Sequence, residues 1–256
     1  MVKHRYSPVG VCIYCGSTQP PLSDEHVIAY GLDGDDILPD ASCKVCASIT
    51  SKVERHCLQK LFMPARFHLR QRSRKGLPKT LPVEAVISGL KTNRELTTGE
   101  HPGMLWSWAF DPPYILDGLD PMGLLRGGRI SMRALNDDNN ERLNKLGDIT
   151  LPAGFDSTIF ARMIAKIAHA HVVAQRGLNG FRPLAIEAIL ADAPSDIWYV
   201  VGGRSKPLPG NDFHRLGIEE REVITRDFRR KKLLVGLVQL FADFDMPAHE
   251  VVVGEL

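Results

Sequence analysis

Two Cys-x-x-Cys pairs near the N-terminus constrain this chain more than any other feature of its sequence. The first pair is Cys12 and Cys15, the second is Cys43 and Cys46, and 27 residues separate the two pairs. Each pair places two thiolates on one tight turn, and four thiolates complete a tetrahedral shell around Zn²⁺ at about 2.3 Å. Zinc ribbons usually separate the pairs by about 15–20 residues, so the pattern predicts a structural zinc ion with an inserted segment between its ligand pairs.

The inserted segment carries the most informative chemistry. The run from Ser23 to Ile28 predicts a short strand that contains an acid followed directly by a histidine, Glu25-His26. The order of motifs resembles that of the zinc-stabilised HNH endonucleases: Cys-x-x-Cys, then Glu-His-Val-Ile, then a Gly-containing loop, and then a second Cys-x-x-Cys that opens a helix. The resemblance covers about residues 10–60, roughly a fifth of the 256-residue chain.

This resemblance implies a fold, a reaction and a set of site residues. The fold would be a β-hairpin and a helix around one divalent metal ion, the ββα-metal fold. His26 matches the general base that takes a proton from the attacking water, and Glu25 matches a ligand of the catalytic metal. The reaction would be phosphodiester hydrolysis in DNA, with Mg²⁺ or Mn²⁺ stabilising charge on the phosphate and the leaving oxygen.

The sequence also departs from the family pattern. A further metal ligand, Asn or His, usually follows the second cysteine pair, but that position is Ala47. The Asn usually found shortly before this pair is missing as well, and Asp40 is the nearest polar candidate for a ligand of the catalytic metal. A rearranged site could instead use Asp24 or Ser48.

Other interpretations of the same residues stay open. The four cysteines could form a zinc ribbon that only stabilises a small domain or binds a partner, either a nucleic acid or a protein. His26 could be a buried histidine that hydrogen-bonds the backbone. The aspartates of the inserted loop do not fit the twelve-residue calcium pattern, so we expect a solvated turn there.

Positive charge is concentrated around the motif. Residues 1–80 carry 12 Lys and Arg against 7 Asp and Glu, whereas the remainder carries 20 against 23. The segment 66–75 contains no acid, and together with the helix before it supplies the predicted nucleic-acid contacts: Lys52, Arg66, Arg70, Arg72, Arg74 and Lys75. The alternative is a solvated linker with a basic face.

Beyond residue 80 the pattern changes to short strands and one long helix. Strands are predicted at 81–88, 104–110, 129–134, 197–201, 219–225, 233–241 and 250–253, and a helix at 156–176. We therefore expect an α+β protein with two domains, an HNH-like zinc module with its basic segment at 8–78 and a mixed domain with an antiparallel sheet at 80–256. The role of the second domain is not indicated by any motif.

Cysteine spacing and hydropathy indicate in which cellular compartment we expect the protein. Four of the five cysteines belong to the pairs, and Cys57 lies on an apolar helical stripe, where we expect a small core residue. Paired Cys-x-x-Cys spacing without an apolar signal segment predicts zinc rather than disulfides, and therefore a cytoplasmic protein. No run of eighteen apolar residues occurs, so no membrane partner is expected.

Overall fold

The computed structural model describes residues 4–87, 90–146, 148–149 and 156–256. It is a mixed α+β structure in which every paired strand runs antiparallel within its sheet. Among the described helices, none is long and apolar enough to cross a bilayer. The mixed α+β class predicted from the sequence is therefore confirmed.

The N-terminal residues form a hairpin followed directly by a helix. Strand β1 (Leu22–His26) pairs with β2 (Ile37–Cys43), and α1 (Lys44–His56) begins at the next residue. The pairing register shifts between Ser23 and Glu25, which marks a β-bulge. A bulge changes the direction of the side chains beside it, and here it lies directly before the Glu25-His26 pair.

Helix α1 continues into further helical structure. A π-helical turn (Cys57–Leu61) and a short helix α2 (Met63–Leu69) follow it. Val53, Cys57 and Leu61 are buried at a spacing of four residues, so the predicted apolar stripe is confirmed. Cys57 is a core residue as expected, and burial raises the pKa of its thiol.

The middle of the chain contains two small sheets and one helix. Their elements are β3 (Leu81–Ile87), β4 (Leu90–Leu96), β5 (Met104–Phe110), β6 (Gly128–Ala134), α3 (Asn139–Leu146) and β7 (Asp148–Ile149). Strands β4, β3 and β7 form one sheet, and β5 pairs with β6 in another. On β5, Trp106 and Phe110 are buried and belong to the core, so β5 is not an exposed aromatic platform.

The C-terminal part combines the longest helix with a five-stranded sheet. Its elements are α4 (Ser157–Arg176), β8 (Arg182–Pro183), α5 (Ile186–Leu190), α6 (Ile197–Val200), β9 (Val201–Arg204), β10 (Arg215–Ile224), β11 (Arg230–Gln239) and β12 (Ala248–Glu255). The predicted strand at 197–201 is wrong, because residues 197–200 form a helical turn and the strand begins only at Val201. A four-residue apolar run fits a buried helical turn as well as a buried strand, so periodicity alone does not separate them.

Helix α4 begins and ends as the sequence predicts. The Asp156 carboxylate accepts hydrogen bonds from the backbone N–H groups of Thr158 and Ile159, and Gly177 follows the last turn. The helix packs closely on β11, where a Cβ at Gly236 would lie 2.8 Å from the Cβ of Ala168. Only glycine allows this approach, which brings α4 into the centre of the molecule.

One hydrophobic core spans the N-terminal and C-terminal residues. It includes Leu32 and Phe62 of the first segment together with Phe160 of α4 and Phe241 after β11. Phe62 packs against both Phe160 and Phe241, with ring centroids 6.3 Å and 5.2 Å away. The division of the chain near residue 79 stays a prediction, but the two segments share their core.

Candidate functional site

The hairpin and the helix bring the four paired cysteines together. Cys12 and Cys15 lie on the turn before β1, Cys43 ends β2, and Cys46 is in the first turn of α1. Their four Sγ atoms lie within 4.8 Å of one another, with Cys15 and Cys43 3.6 Å apart. Within the described part of the chain, this is the one group of three or more His, Cys, Asp or Glu side chains whose donor atoms converge.

The chemistry of this donor set fits zinc. Thiolates are soft ligands, and tetrahedral S₄ coordination is typical of structural zinc sites. The backbone N–H of Cys46, in the first turn of α1, lowers the pKa of the Cys43 thiol to about 7. Burial raises the pKa of Cys46, so a bound cation would have to displace a proton from that thiol.

A cleft of about 540 Å³ lies beside the hairpin and α1. Strand β1 contributes Asp24, Glu25 and His26 to its wall, and α1 contributes one face of its helix. The α1 residues recur at helical spacing, namely Ala47, Thr50, Ser51, Glu54 and Arg55. The segment after α2 closes the cleft with Arg72, Ser73, Arg74, Lys75, Gly76 and Leu77.

Two carboxylates on the cleft wall share one buried lysine. Lys166 of α4 places its Nζ 2.7 Å from Oε1 of Glu25 and 2.8 Å from Oε1 of Glu54. The Lys166 side chain is 1% exposed, against 8% for Glu25 and 20% for Glu54. The same ammonium donates hydrogen bonds to the carbonyl oxygens of His26 and Val27. A residue from the C-terminal part thus anchors both the strand and the helix of the cleft.

Burial and charge act in opposite directions on these groups. Burial lowers the pKa of Lys166, but the carboxylates of Glu25 and Glu54 more than offset this and raise its pKa above the usual value. Burial raises the pKa of Glu25, whereas the Lys166 ammonium lowers it and leaves a net upward shift. Lys166 therefore stays protonated at neutral pH, and its ammonium lies between the two acids.

His26 is half-buried, and its ring packs edge-on against Tyr30 with centroids 6.2 Å apart. Burial lowers the pKa of His26, and the nearby Lys166 ammonium lowers it further. The imidazole is consequently neutral at pH 7. A neutral imidazole that lines a cleft can accept a proton from water.

The other positions considered for metal ligands lie outside the cleft, have no donor atom or already pair with a cation. Asp40 is exposed, has a φ of +50° and does not line the cleft, so the structure separates it from Glu25. Ala47 lines the cleft without a donor atom, and Ser48 lies outside it. Asp24 lines the cleft but pairs with Arg5 at 2.8 Å.

Two arginines of the predicted basic segment have structural partners. Arg66 is buried and donates to the carbonyl oxygens of Gly31, Leu58 and Arg72. Arg72 pairs with Asp33 and Asp35 at 3.0 Å and 2.7 Å. Asp33 and Asp35, which we expected in a solvated turn, are therefore half-buried partners of Arg72. The guanidinium of Arg66 is hydrogen-bonded to backbone carbonyl oxygens.

The remaining basic residues differ in position. Arg74 and Lys75 are exposed and line the cleft, and the Arg74 guanidinium lies 5.7 Å from the Tyr30 ring centroid. Arg70 and Lys52 are exposed but do not line it. Arg55, which the sequence analysis did not select, is an exposed cation on the cleft wall.

Besides Arg55, sequence reasoning missed Glu54 and Lys166. Glu54 lies seven residues after Ala47, so helical periodicity from the second cysteine pair could have found it on the same face. Lys166 lies 141 residues after Glu25, and no local signal connects the two. Comparisons with protein-family models, curated proteins and solved structures give no match for this chain.

Proposed function

We propose that this chain is an endonuclease whose N-terminal HNH-type module hydrolyses phosphodiester bonds in DNA. The observation that carries the proposal is the cleft itself, where His26 lies among two carboxylates and the cations Arg74 and Lys75. Phosphodiester hydrolysis needs a base for the attacking water and positive charge for the phosphate. The cleft wall contains both.

The order of the elements supports the same proposal. A hairpin is followed directly by a helix, the acid–histidine pair ends the first strand, and the second cysteine pair spans the junction of strand and helix. This is the arrangement that the resemblance to HNH endonucleases implies for a ββα-metal module. Four cysteines that converge on one point supply the zinc-binding part of that arrangement.

In the proposed mechanism, His26 takes the proton of the attacking water through its neutral imidazole. Arg74 and Lys75 bind the non-bridging oxygens of the phosphate, and Arg55 binds a neighbouring phosphate of the strand. Lys166 does not touch the substrate, because its side chain is buried. It orients Glu25 and Glu54 toward the cleft.

Glu25 and Glu54 are the residues that would hold a divalent cation. Oε1 of each carboxylate pairs with Lys166, and both residues line the cleft. Mg²⁺ is commonly held by one or two carboxylates, while water and substrate phosphate complete its shell, so this donor set fits. When bound, such an ion supplies charge stabilisation at the phosphate and the leaving oxygen.

A second candidate function is a zinc module that binds nucleic acid without cleaving it. Two observations favour it, the donor-free Ala47 on the cleft wall and the Lys166 ammonium that already partners both acids. In that case the basic wall would bind phosphates and His26 would have no chemical role.

The two functions are separated by plasmid nicking in Mg²⁺ or Mn²⁺, with wild type and His26→Ala compared at equal zinc content. We expect the wild type to convert supercoiled plasmid to the nicked form and His26→Ala to lose at least a hundredfold in rate, because general-base catalysis contributes about 10²–10⁴-fold. His4→Ala is the matched control, since His4 is exposed and does not line the cleft.

Equal nicking by wild type and His26→Ala would contradict the assigned base. No nicking by either protein, together with retained DNA binding, would favour the binding module. Loss of activity in His4→Ala as well would indicate general destabilisation rather than a role in catalysis.

A further inference from the structure

The hairpin β10–β11 ends in an exposed basic tip with an aromatic side chain, which we define as residues 225–231. The two strands pair over ten residues each, from Arg215 opposite Gln239 to Ile224 opposite Arg230. The tip therefore projects from a continuous ladder. This gives it a defined position despite its exposure.

The backbone of the tip is held in one conformation. Phe228 donates its backbone N–H to Thr225 O, and Thr225 donates its own N–H to Arg229 O, both at 2.9 Å. The Thr225 hydroxyl also donates to Arg229 O at 3.0 Å. Phe228 has a φ of +62°, a left-handed conformation that a bulky residue rarely adopts. The turn thus presents this side chain to solvent.

The Phe228 ring is 89% exposed, and the neighbouring Ile224 is 61% exposed. A single exposed apolar residue is common on a protein surface and needs no explanation. Here, however, the apolar side chains lie within a concentration of positive charge. Residues 225–232 carry five basic side chains and one acid, Asp227.

Several of these cations have no acidic partner. Arg229 pairs with Asp227, and Lys232 pairs with Glu220. Within the described residues, no ion pair involves Arg226, Arg230 or Lys231. A nucleic acid complements such a surface, because its phosphates are anionic and its bases have flat apolar faces.

We propose that this tip is a second nucleic-acid contact, in which Phe228 stacks on an unpaired base while Arg226 and Arg230 bind the flanking phosphates. The proposal rests on the DNA substrate of the proposed function, but it concerns binding and not cleavage. Stacking requires an accessible base face, so the tip selects single-stranded or locally opened DNA over intact duplex.

The test measures binding by full-length, zinc-loaded protein in the His26→Ala background, which removes cleavage from the experiment. The probe is a fluorescein-labelled single-stranded oligonucleotide followed by anisotropy. We expect Phe228→Ala to weaken binding about tenfold, because it removes the aromatic ring on which the base stacks. Phe228→Trp should retain the affinity.

Charge variants give an independent measurement. Arg226→Gln with Arg230→Gln should reduce the slope of log affinity against log salt by about 1.4, since each phosphate contact on a single strand contributes about 0.7. Lys145→Gln is the matched control, because it removes one exposed cation on α3, away from this hairpin. We expect it to leave the slope unchanged.

Unchanged affinity in Phe228→Ala, or equal losses on single-stranded DNA and intact duplex, would overturn the proposal. Loss of binding to phosphatidylserine vesicles in Phe228→Ala, with DNA binding intact, would assign the tip to a membrane surface and would also overturn it. Absence of nicking in the separate plasmid assay would overturn only the proposed function, because the anisotropy result does not depend on cleavage.

Discussion

Lys166 connects the chemistry of the cleft to the rest of the molecule. It carries one positive charge between two carboxylates, and three of its partners, Glu25, His26 and Val27, belong to or follow β1. A buried ion pair adds little net stability compared with an apolar isostere, but removing one partner leaves a buried charge uncompensated. Lys166 therefore serves mainly to hold Glu25 and Glu54 in position on the cleft wall.

The first residue-scale prediction concerns this lysine. Lys166→Met should destabilise the protein by about 3–5 kcal/mol, because it leaves the buried Glu25 and the partly buried Glu54 without their cation. Urea denaturation followed by circular dichroism measures the change. Lys145→Met is the matched control, since that exposed pair with Glu141 should contribute only about 0.3–0.5 kcal/mol.

A triple variant distinguishes charge from packing. Adding Glu25→Gln and Glu54→Gln to Lys166→Met removes the uncompensated charges, and we expect it to recover a large part of the lost stability. If the added substitutions recover nothing, the cost of Lys166→Met lies in lost packing, and the electrostatic account of the triad is wrong.

At the scale of elements, a metal ion in the cysteine cluster would add a link between elements that the fold already brings together. Cys12 and Cys15 lie on a turn before β1 that already donates a hydrogen bond from Ile13 N to Ala41 O of β2, and a shared cation would tie this turn to the start of α1 as well. Ligands that converge only in the folded state make metal binding and folding one equilibrium. The geometry of β1, β2 and α1, and therefore of the cleft, depends on that equilibrium.

The element-scale prediction is that Cys43→Ser lowers both the zinc content and the thermal midpoint. Mass spectrometry of the metal should give one zinc per chain for wild type and well under one for the variant. Cys57→Ala is the control, because Cys57 is buried outside the cluster and should leave the zinc content at one. Full zinc content with an unchanged midpoint in Cys43→Ser would contradict a structural role for the metal.

The whole molecule is joined by buried histidines as well as by apolar packing. His169 of α4 donates to Ile13 O, and His214 donates to Leu32 O, each at 2.8 Å. His249 of β12 donates to Trp108 O at 2.8 Å. Burial lowers the pKa of each of these three histidines to about 4, so each is neutral in the folded protein at pH 7.

The prediction at this scale is a loss of stability in mild acid. An unfolded histidine has a pKa near 6.5, so between about pH 6.5 and pH 4 the unfolded chain binds more protons than the folded one. Stability is therefore complete above pH 6.5 and decreases as the pH falls toward 4, by about 1.4 kcal/mol per pH unit for each such group. Thermal midpoints measured from pH 8 to pH 4 test this.

Protonation of the cysteine thiolates in acid would release a bound metal ion and also lower stability, so a variant must separate the two effects. His249→Gln removes one titrating group far from the cysteines and can keep a donor for Trp108 O. We expect its stability to fall less steeply with pH than that of the wild type. Parallel curves for the two proteins would show that His249 does not contribute.

Local patterns were sufficient for the parts of the structure that depend on neighbours in sequence. The two cysteine pairs predicted a cluster that the fold assembles, and the apolar spacing after Cys46 predicted α1. The helix predicted at 156–176 matches α4, where Asp156 rather than Ser157 is the N-cap and Gly177 follows the last turn. In these cases the contacts that decide the structure lie within a few residues, so the sequence states them directly.

Only the tertiary structure decided how charged residues are used. The sequence presents Arg66 and Arg74 as equivalent members of one basic segment, yet Arg66 is buried against carbonyl oxygens and Arg74 faces the cleft. Asp40 is close to the cysteines in sequence but lies outside the cleft, whereas Lys166 is distant in sequence and holds its two acids. The role of a long charged side chain depends on the burial and the partners that other elements bring to it, and these follow from packing across the whole chain.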